Sequence, residues 1–157
     1  MNQVDAISIF NLRSCIDQAP GEETKLAWDG KTFSANYVLN CQYEGGVAIA
    51  YTVNISGKLS SNHKKLESFT GMRKYTYSSP DINEYHEYFL ALKDIPLDGD
   101  ETYLSGYIED NLGDHIVNAY YIWNTVTADE TINRQSTGIN YDNPRMDLNV
   151  LFTRSSN

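Results

Sequence analysis

From Lys31 to Lys58 apolar and polar residues alternate with a period of two. Phe33, Ala35, Tyr37, Leu39, Cys41 and Tyr43 form one run, Val47, Ile49, Tyr51, Val53 and Ile55 the next, and Glu44-Gly45-Gly46 lies between them. A period of two is that of a strand, whose successive side chains point to opposite faces. Glycine reaches the positive φ of a tight turn, so the two runs are expected to be arms of one β-hairpin. The opposite face carries Thr32, Ser34, Asn36, Val38, Asn40 and Gln42 on one arm. Ala48, Ala50, Thr52, Asn54 and Ser56 follow on the other. Between Thr32 and Gly57 the only charge is Glu44, in a chain of formal net charge −9. Exposed strands are normally protected from edge pairing by Lys or Glu, so this uncharged face calls for a covering layer, a subunit interface or a membrane. The residues concerned are Ser34, Asn36, Asn40, Gln42, Thr52, Asn54 and Ser56.

The remaining chain repeats the pattern. Strands are expected within 4–16, 24–28, 72–77, 85–92, 103–109, 116–127 and 146–152, separated by turn signals such as Asp29-Gly30, Ser78-Ser79-Pro80-Asp81, Asp98-Gly99-Asp100-Glu101 and Asp110-Asn111-Leu112-Gly113-Asp114. In the first of these, Ile7 and Ile9 share a face while Phe10 and Leu12 take the other, which implies a bulge or burial on both faces. The 103–109 and 116–127 runs are expected to pair as a second hairpin. Frequent turns without a convincing helix indicate an all-β fold: one domain over 1–157, an antiparallel sandwich or flattened barrel of about eight to ten strands. At 157 residues a single core suffices, without help from disulfides or a metal.

Composition narrows function by exclusion. Twenty-one acids against twelve bases disfavour a nucleic-acid partner, which needs clustered Lys and Arg. The start, Met1 to Phe10, lacks the basic and apolar regions of a secretory signal, and no run is long enough for a spanning helix. The expectation is a cytoplasmic protein, or one released without such a signal. Cys15 and Cys41 match no disulfide-scaffold or zinc spacing, and Cys41 reads as a buried thiol, with a bridge to Cys15 as the alternative. Lys58, Lys64, Lys65, Arg73 and Lys74 form a modest basic stretch, whereas 81–114 holds ten acids against Lys93, a pattern typical of solvated loops. The polar run Ser60-Ser61-Asn62-His63-Lys64-Lys65 is the longest expected loop.

No catalytic motif accompanies His63, His86 or His115: there is no Gly-x-Ser-x-Gly elbow, metalloprotease motif or phosphate loop. No cofactor is expected. Asp98, Asp100, Asp110 and Asp114 supply hard oxygens suited to calcium, but their spacing fits no known calcium loop, and turn chemistry explains them as well. The aromatic residues are more informative. Eight of twelve tyrosines lie between Tyr75 and Tyr121. A ring with a polar tip suits sugar faces, headgroups and protein partners. In Ala119-Tyr120-Tyr121-Ile122-Trp123-Asn124, neighbouring rings must point to opposite faces, so the strand is buried between layers or shows one face to solvent. Tyr120, Tyr121, Trp123, Tyr103, Tyr107 and Tyr141 are the candidate ligand-binding residues.

Ile139-Asn140-Tyr141-Asp142-Asn143-Pro144 resembles the turn before a late strand in small β-sandwich membrane-binding toxins of the aegerolysin and actinoporin-like kind. The resemblance is confined to that stretch. It implies that Tyr120, Tyr121 and Trp123 stand for headgroup-binding aromatics. The sequence thus points to a non-catalytic, lectin-like recognition module for a glycan, lipid headgroup or protein surface. The alternative is a self-associating subunit, either a pore-forming toxin using the 33–56 hairpin or a shell or fibre protein.

Overall fold

A computed structural model describes residues 3–11, 15, 25–104, 114–137 and 148–154. The strands are β1 (Val4–Asn11), β2 (Lys25–Trp28), β3 (Thr32–Tyr43), β4 (Val47–Leu59), β5 (Lys65–Ser78), β6 (Ile82–Pro96), β7 (Glu101–Leu104), β8 (Ile116–Thr127), β9 (Thr131–Thr137) and β10 (Leu148–Arg154). They form a large sheet in the order β2-β3-β4-β5-β6-β8-β9 and a small one in the order β1-β10-β7. Every pairing is antiparallel. The architecture is an open β-sandwich; the large sheet does not close into a barrel.

The central hairpin has the register its alternation dictates, from Thr32 opposite Lys58 to Tyr43 opposite Val47. Its turn holds Gly45 and Gly46 at φ 79° and 75°, a region that side chains with a Cβ seldom occupy. Phe33, Ala35, Tyr37, Leu39 and Cys41 are buried, as are Tyr51, Val53, Ile55 and Leu59. Val4, Ile7, Leu104, Val150 and Phe152 of the small sheet complete this core. Phe33 meets Phe152 edge-on at 5.5 Å between ring centroids. It can lie there because its cross-strand partner is Gly57: a Cβ at that position would come within 2.4 Å of the Phe33 ring.

Several expectations are corrected. The 103–109 and 116–127 runs do not form a hairpin. β7 pairs with β10 in the small sheet, and β8 lies between β6 and β9. Cys41 is not a free thiol but is bridged to Cys15, with Cα atoms 5.6 Å apart. β5 begins at Lys65, so the expected long loop is a short turn at 60–64, and β9 is an additional edge strand. The register of β1 slips between Val4 and Ala6, which turns Val4 and Ile7 to the same buried side, and runs on without a bulge from Ala6 to Asn11, past the Ile9–Phe10 step where one was expected.

One end of the sandwich is tied together by buried polar groups. The Arg154 side chain donates to the carbonyls of Gly99 (3.1 Å), Leu97 (2.8 Å) and His63. His63, buried at φ 58°, accepts the Val4 N–H at Nδ1 (3.0 Å) and donates its own N–H to Ser60 (2.9 Å). These bonds hold a left-handed conformation that histidine tolerates better than most residues. The turn within the longest expected loop is a structural joint.

Candidate functional site

The outer face of the large sheet contains a trough made by short side chains in register. Ser34 lies opposite Ser56, and Ser56 opposite Thr70. The Ser56 and Thr70 hydroxyls are 2.7 Å apart. Larger residues rise at both ends. Towards β2, Asp29 and Lys58 bound an open depression of about 540 Å³ that also takes in Ala27 and Ser68. Towards the middle of the sheet, Asn36, Asn54, Met72 and Phe89 bound an adjoining one of about 300 Å³. The two share Ser34, Ser56 and Thr70 and form one continuous groove. Asp29 stands at its rim as an anion, its carboxylate accepting the backbone N–H groups of Lys31 (2.9 Å) and Thr32 (2.7 Å) and the Thr32 hydroxyl. Those bonds to Thr32 and Lys31 hold its carboxyl below the usual range.

Beyond Phe89 the groove meets a clamp. Phe89 stacks on Tyr120 of the next strand, with centroids 5.2 Å apart and planes 14° from parallel. The Tyr120 hydroxyl donates to Oε2 of Glu87 at 2.6 Å, and the Tyr85 hydroxyl to Oε1 at 2.5 Å. The two phenols, Tyr120 first, hold the Glu87 carboxyl below its ordinary value, with Lys74 adding to the effect. Partial burial and the bond to Glu87 in turn push both phenols up to about 12. All three groups therefore keep one protonation state across neutral pH.

The inner face of the same strands is different. The register lines up Tyr51, Tyr75, His86, Trp123 and Arg134 across β4, β5, β6, β8 and β9. The His86 ring lies 6.0 Å from Trp123, at 12° to its plane, and 6.0 Å from Tyr121. Its Nδ1 is 2.7 Å from the Tyr121 hydroxyl, and its Nε2 is 3.6 Å from Glu84. Burial holds His86 below its ordinary value and raises Tyr121, whose bond to Tyr88 acts the same way. Arg73 is buried with its guanidinium 4.3 Å from the Tyr88 ring centroid, and Arg134 lies 5.1 Å from that of Trp123. This is a half-buried aromatic and polar cluster braced by cation–π contacts, with Arg134 at its exposed edge.

Within that cluster Trp123 Nε1 and Thr125 Oγ1 are buried without a hydrogen-bond partner. An orphaned hydroxyl costs about 1–3 kcal/mol, so Thr125→Val, nearly isosteric, should raise the unfolding free energy by about 1 kcal/mol. A loss of stability on urea unfolding would show that the hydroxyl is in use.

The structure thus divides the residues singled out in the sequence. Tyr120 is on the outer face, Tyr121 and Trp123 on the inner one, so the three aromatics do not converge on one headgroup. Tyr103 is 55% exposed on the small sheet, away from all of them. Tyr107, Tyr141 and Asp110 lie outside the described residues, as does the Ile139–Pro144 stretch. Ser34, Asn36, Asn54 and Ser56 line the groove, while Asn40, Gln42 and Thr52 sit further along the same face. Asp98 and Asp100 flank a turn whose carbonyls bind Arg154, and Asp114 is exposed just before β8. No three potential metal ligands converge among the described residues. Glu87, Phe89, Met72 and Thr70 were not singled out. The opposition of Tyr85 and Phe89 to His86 and Tyr88 was the available signal for the outer aromatics.

No helix among the described residues is long and apolar enough to cross a membrane. Comparisons with family models, curated proteins and solved structures find no match to this chain.

Proposed function

We propose that this protein is a non-catalytic recognition module that binds a neutral glycan on the open face of its large sheet. The observation that carries the reading is the groove itself: a floor of hydroxyls and amides, ending on an aromatic ring at Phe89. Sugars offer the matching surface, hydroxyls around the rim and apolar C–H faces that pack on rings. Between the rim charges of Asp29 and Lys58 the floor carries only hydroxyls and amides, which suits a neutral ligand better than an ionic one. The self-assembling alternative is less well supported. Freeing the hairpin would break the β4–β5 ladder from Ala48–Ser78 to Lys58–Ser68 and expose its buried inner face. The Cys15–Cys41 disulfide favours an oxidising compartment, where such a ligand would be met.

The test is calorimetric titration with cellohexaose, laminarihexaose and mannohexaose, with phosphatidylcholine vesicles as the lipid arm. At least one hexaose should bind, and Phe89→Ala should weaken it tenfold or more while Tyr103→Ala leaves it unchanged. Binding to vesicles alone, or concentration-dependent sedimentation without any glycan binding, would overturn the reading.

A further inference from the structure

Resting on that reading, we infer that Glu87 is the specificity-determining residue of the outer face, taking hydrogen bonds from two neighbouring hydroxyl groups of the ligand. A carboxylate offers about four lone-pair sites and no proton. The Tyr85 and Tyr120 hydroxyls use one site on each oxygen, at 2.5 and 2.6 Å. Each oxygen keeps further accepting capacity, and each phenol has already committed its only proton. Four oxygens from two strands are thereby fixed in a short array that can accept hydrogen bonds but not donate them.

Such an array selects a ligand that donates. Two classes qualify, an ammonium group and a pair of hydroxyls. Lys74 stands directly opposite Glu87 on β5 and already supplies a positive charge there. A second cation would meet repulsion, whereas a neutral pair of hydroxyls would not. Phe89, two residues along the strand on the same face, bounds the groove, so a sugar ring packed against it has its hydroxyls within reach of the carboxylate. Hydrogen bonds to a charged acceptor are about twice as strong as neutral ones, which makes this contact the discriminating one.

The experiment compares Glu87→Gln with Tyr85→Phe on the best-binding hexaose. The first removes the charged acceptor; the second opens the clamp and leaves the acceptor in place. Glu87→Gln should weaken binding at least tenfold, and Tyr85→Phe less than threefold. If Glu87 served only to hold the tyrosines, the two variants would weaken binding alike, and the inference falls. A second measurement needs no variant. The groups facing Glu87 are Lys74 on β5, Tyr85 on its own strand and Tyr120 on β8, and the two phenols, pushed up to about 12, stay protonated from neutral pH downward. Affinity of the unaltered protein should therefore persist through pH 5 and be lost only as Glu87 is protonated below the usual carboxylate range. Full affinity at a pH where carboxyl NMR shows Glu87 protonated, with the fold intact, would overturn the inference. If no hexaose binds the unaltered protein, the glycan reading itself fails; binding that is indifferent to Glu87 removes this step alone.

Discussion

Replacing Arg154 by methionine should lower the unfolding free energy by about 3 kcal/mol, and the melting temperature by on the order of 10 °C for a domain of this size. Methionine fills much of the same volume, so the loss isolates hydrogen bonding from packing. Three backbone carbonyls, of His63, Leu97 and Gly99, would lose a charged donor in a buried position. Charge-assisted hydrogen bonds contribute about 1.5–3 kcal/mol each, against which stands the cost of keeping a guanidinium out of water. The backbone bond from Arg154 N–H to Asp100 survives the change, so the strand stays anchored while the two turns lose their tie. Lysine should recover little, since a single ammonium cannot reproduce a planar fork that serves several carbonyls at once. A fall of less than 2 °C in the methionine variant would mean that the carbonyls find other donors, and that the joint is held by the His63 turn alone.

This joint also shows where sequence reading stops. The hairpin was legible because both arms keep a strict period of two, and the alternation along 85–92 sets Tyr85 and Phe89 opposite His86, Tyr88 and Leu90 without saying which face is outer. Bulges defeat the same logic. Between Lys58–Ser68 and Leu59–Leu66 the register slips, so Leu66 and Phe69 are both buried although three residues apart. An alternation test reads such a stretch as irregular, which is why the start of β5 passed for loop. β9 has Ile132 as its only strongly apolar residue, as an edge strand can. Strand pairing is harder still. Leu104 and Ile116 are close in the chain, yet they belong to different sheets, and nothing local marks the crossing.

The site was legible in part for a related reason. The absence of charge on the outer hairpin face drew attention to Ser34, Asn36, Asn54 and Ser56, and the groove does run over them. Its depth depends on Thr70 coming beside Ser56, a fact of register between β4 and β5. Glu87 looked like any solvated acid until two tyrosines from different strands were placed on its oxygens. A single-strand pattern records which face a residue takes, but not who stands beside it.

Removing the disulfide with Cys15→Ala and Cys41→Ala should cost about 3.5 kcal/mol, again on the order of 10 °C. The estimate follows from closing a loop between cysteines 26 residues apart, which restricts the unfolded chain more than the folded one. Were Cys41 merely a small buried hydrophobe, the exchange for alanine would cost about 1 kcal/mol, so urea unfolding with and without reductant separates the two cases. Unlinking should also raise the urea m-value, because the unfolded chain expands and exposes more surface; an unchanged midpoint in reductant would contradict the bridge. Binding should respond differently. Cys41 lies seven residues along β3 from Ser34, about 23 Å at the rise of an extended strand, and it faces the core, whereas the groove is on the outer face. With the temperature kept below the lowered midpoint, the unbridged variant should therefore bind the same hexaose with unchanged affinity. Stability held at one end of the hairpin and recognition placed at the other would then be separable by a pair of substitutions.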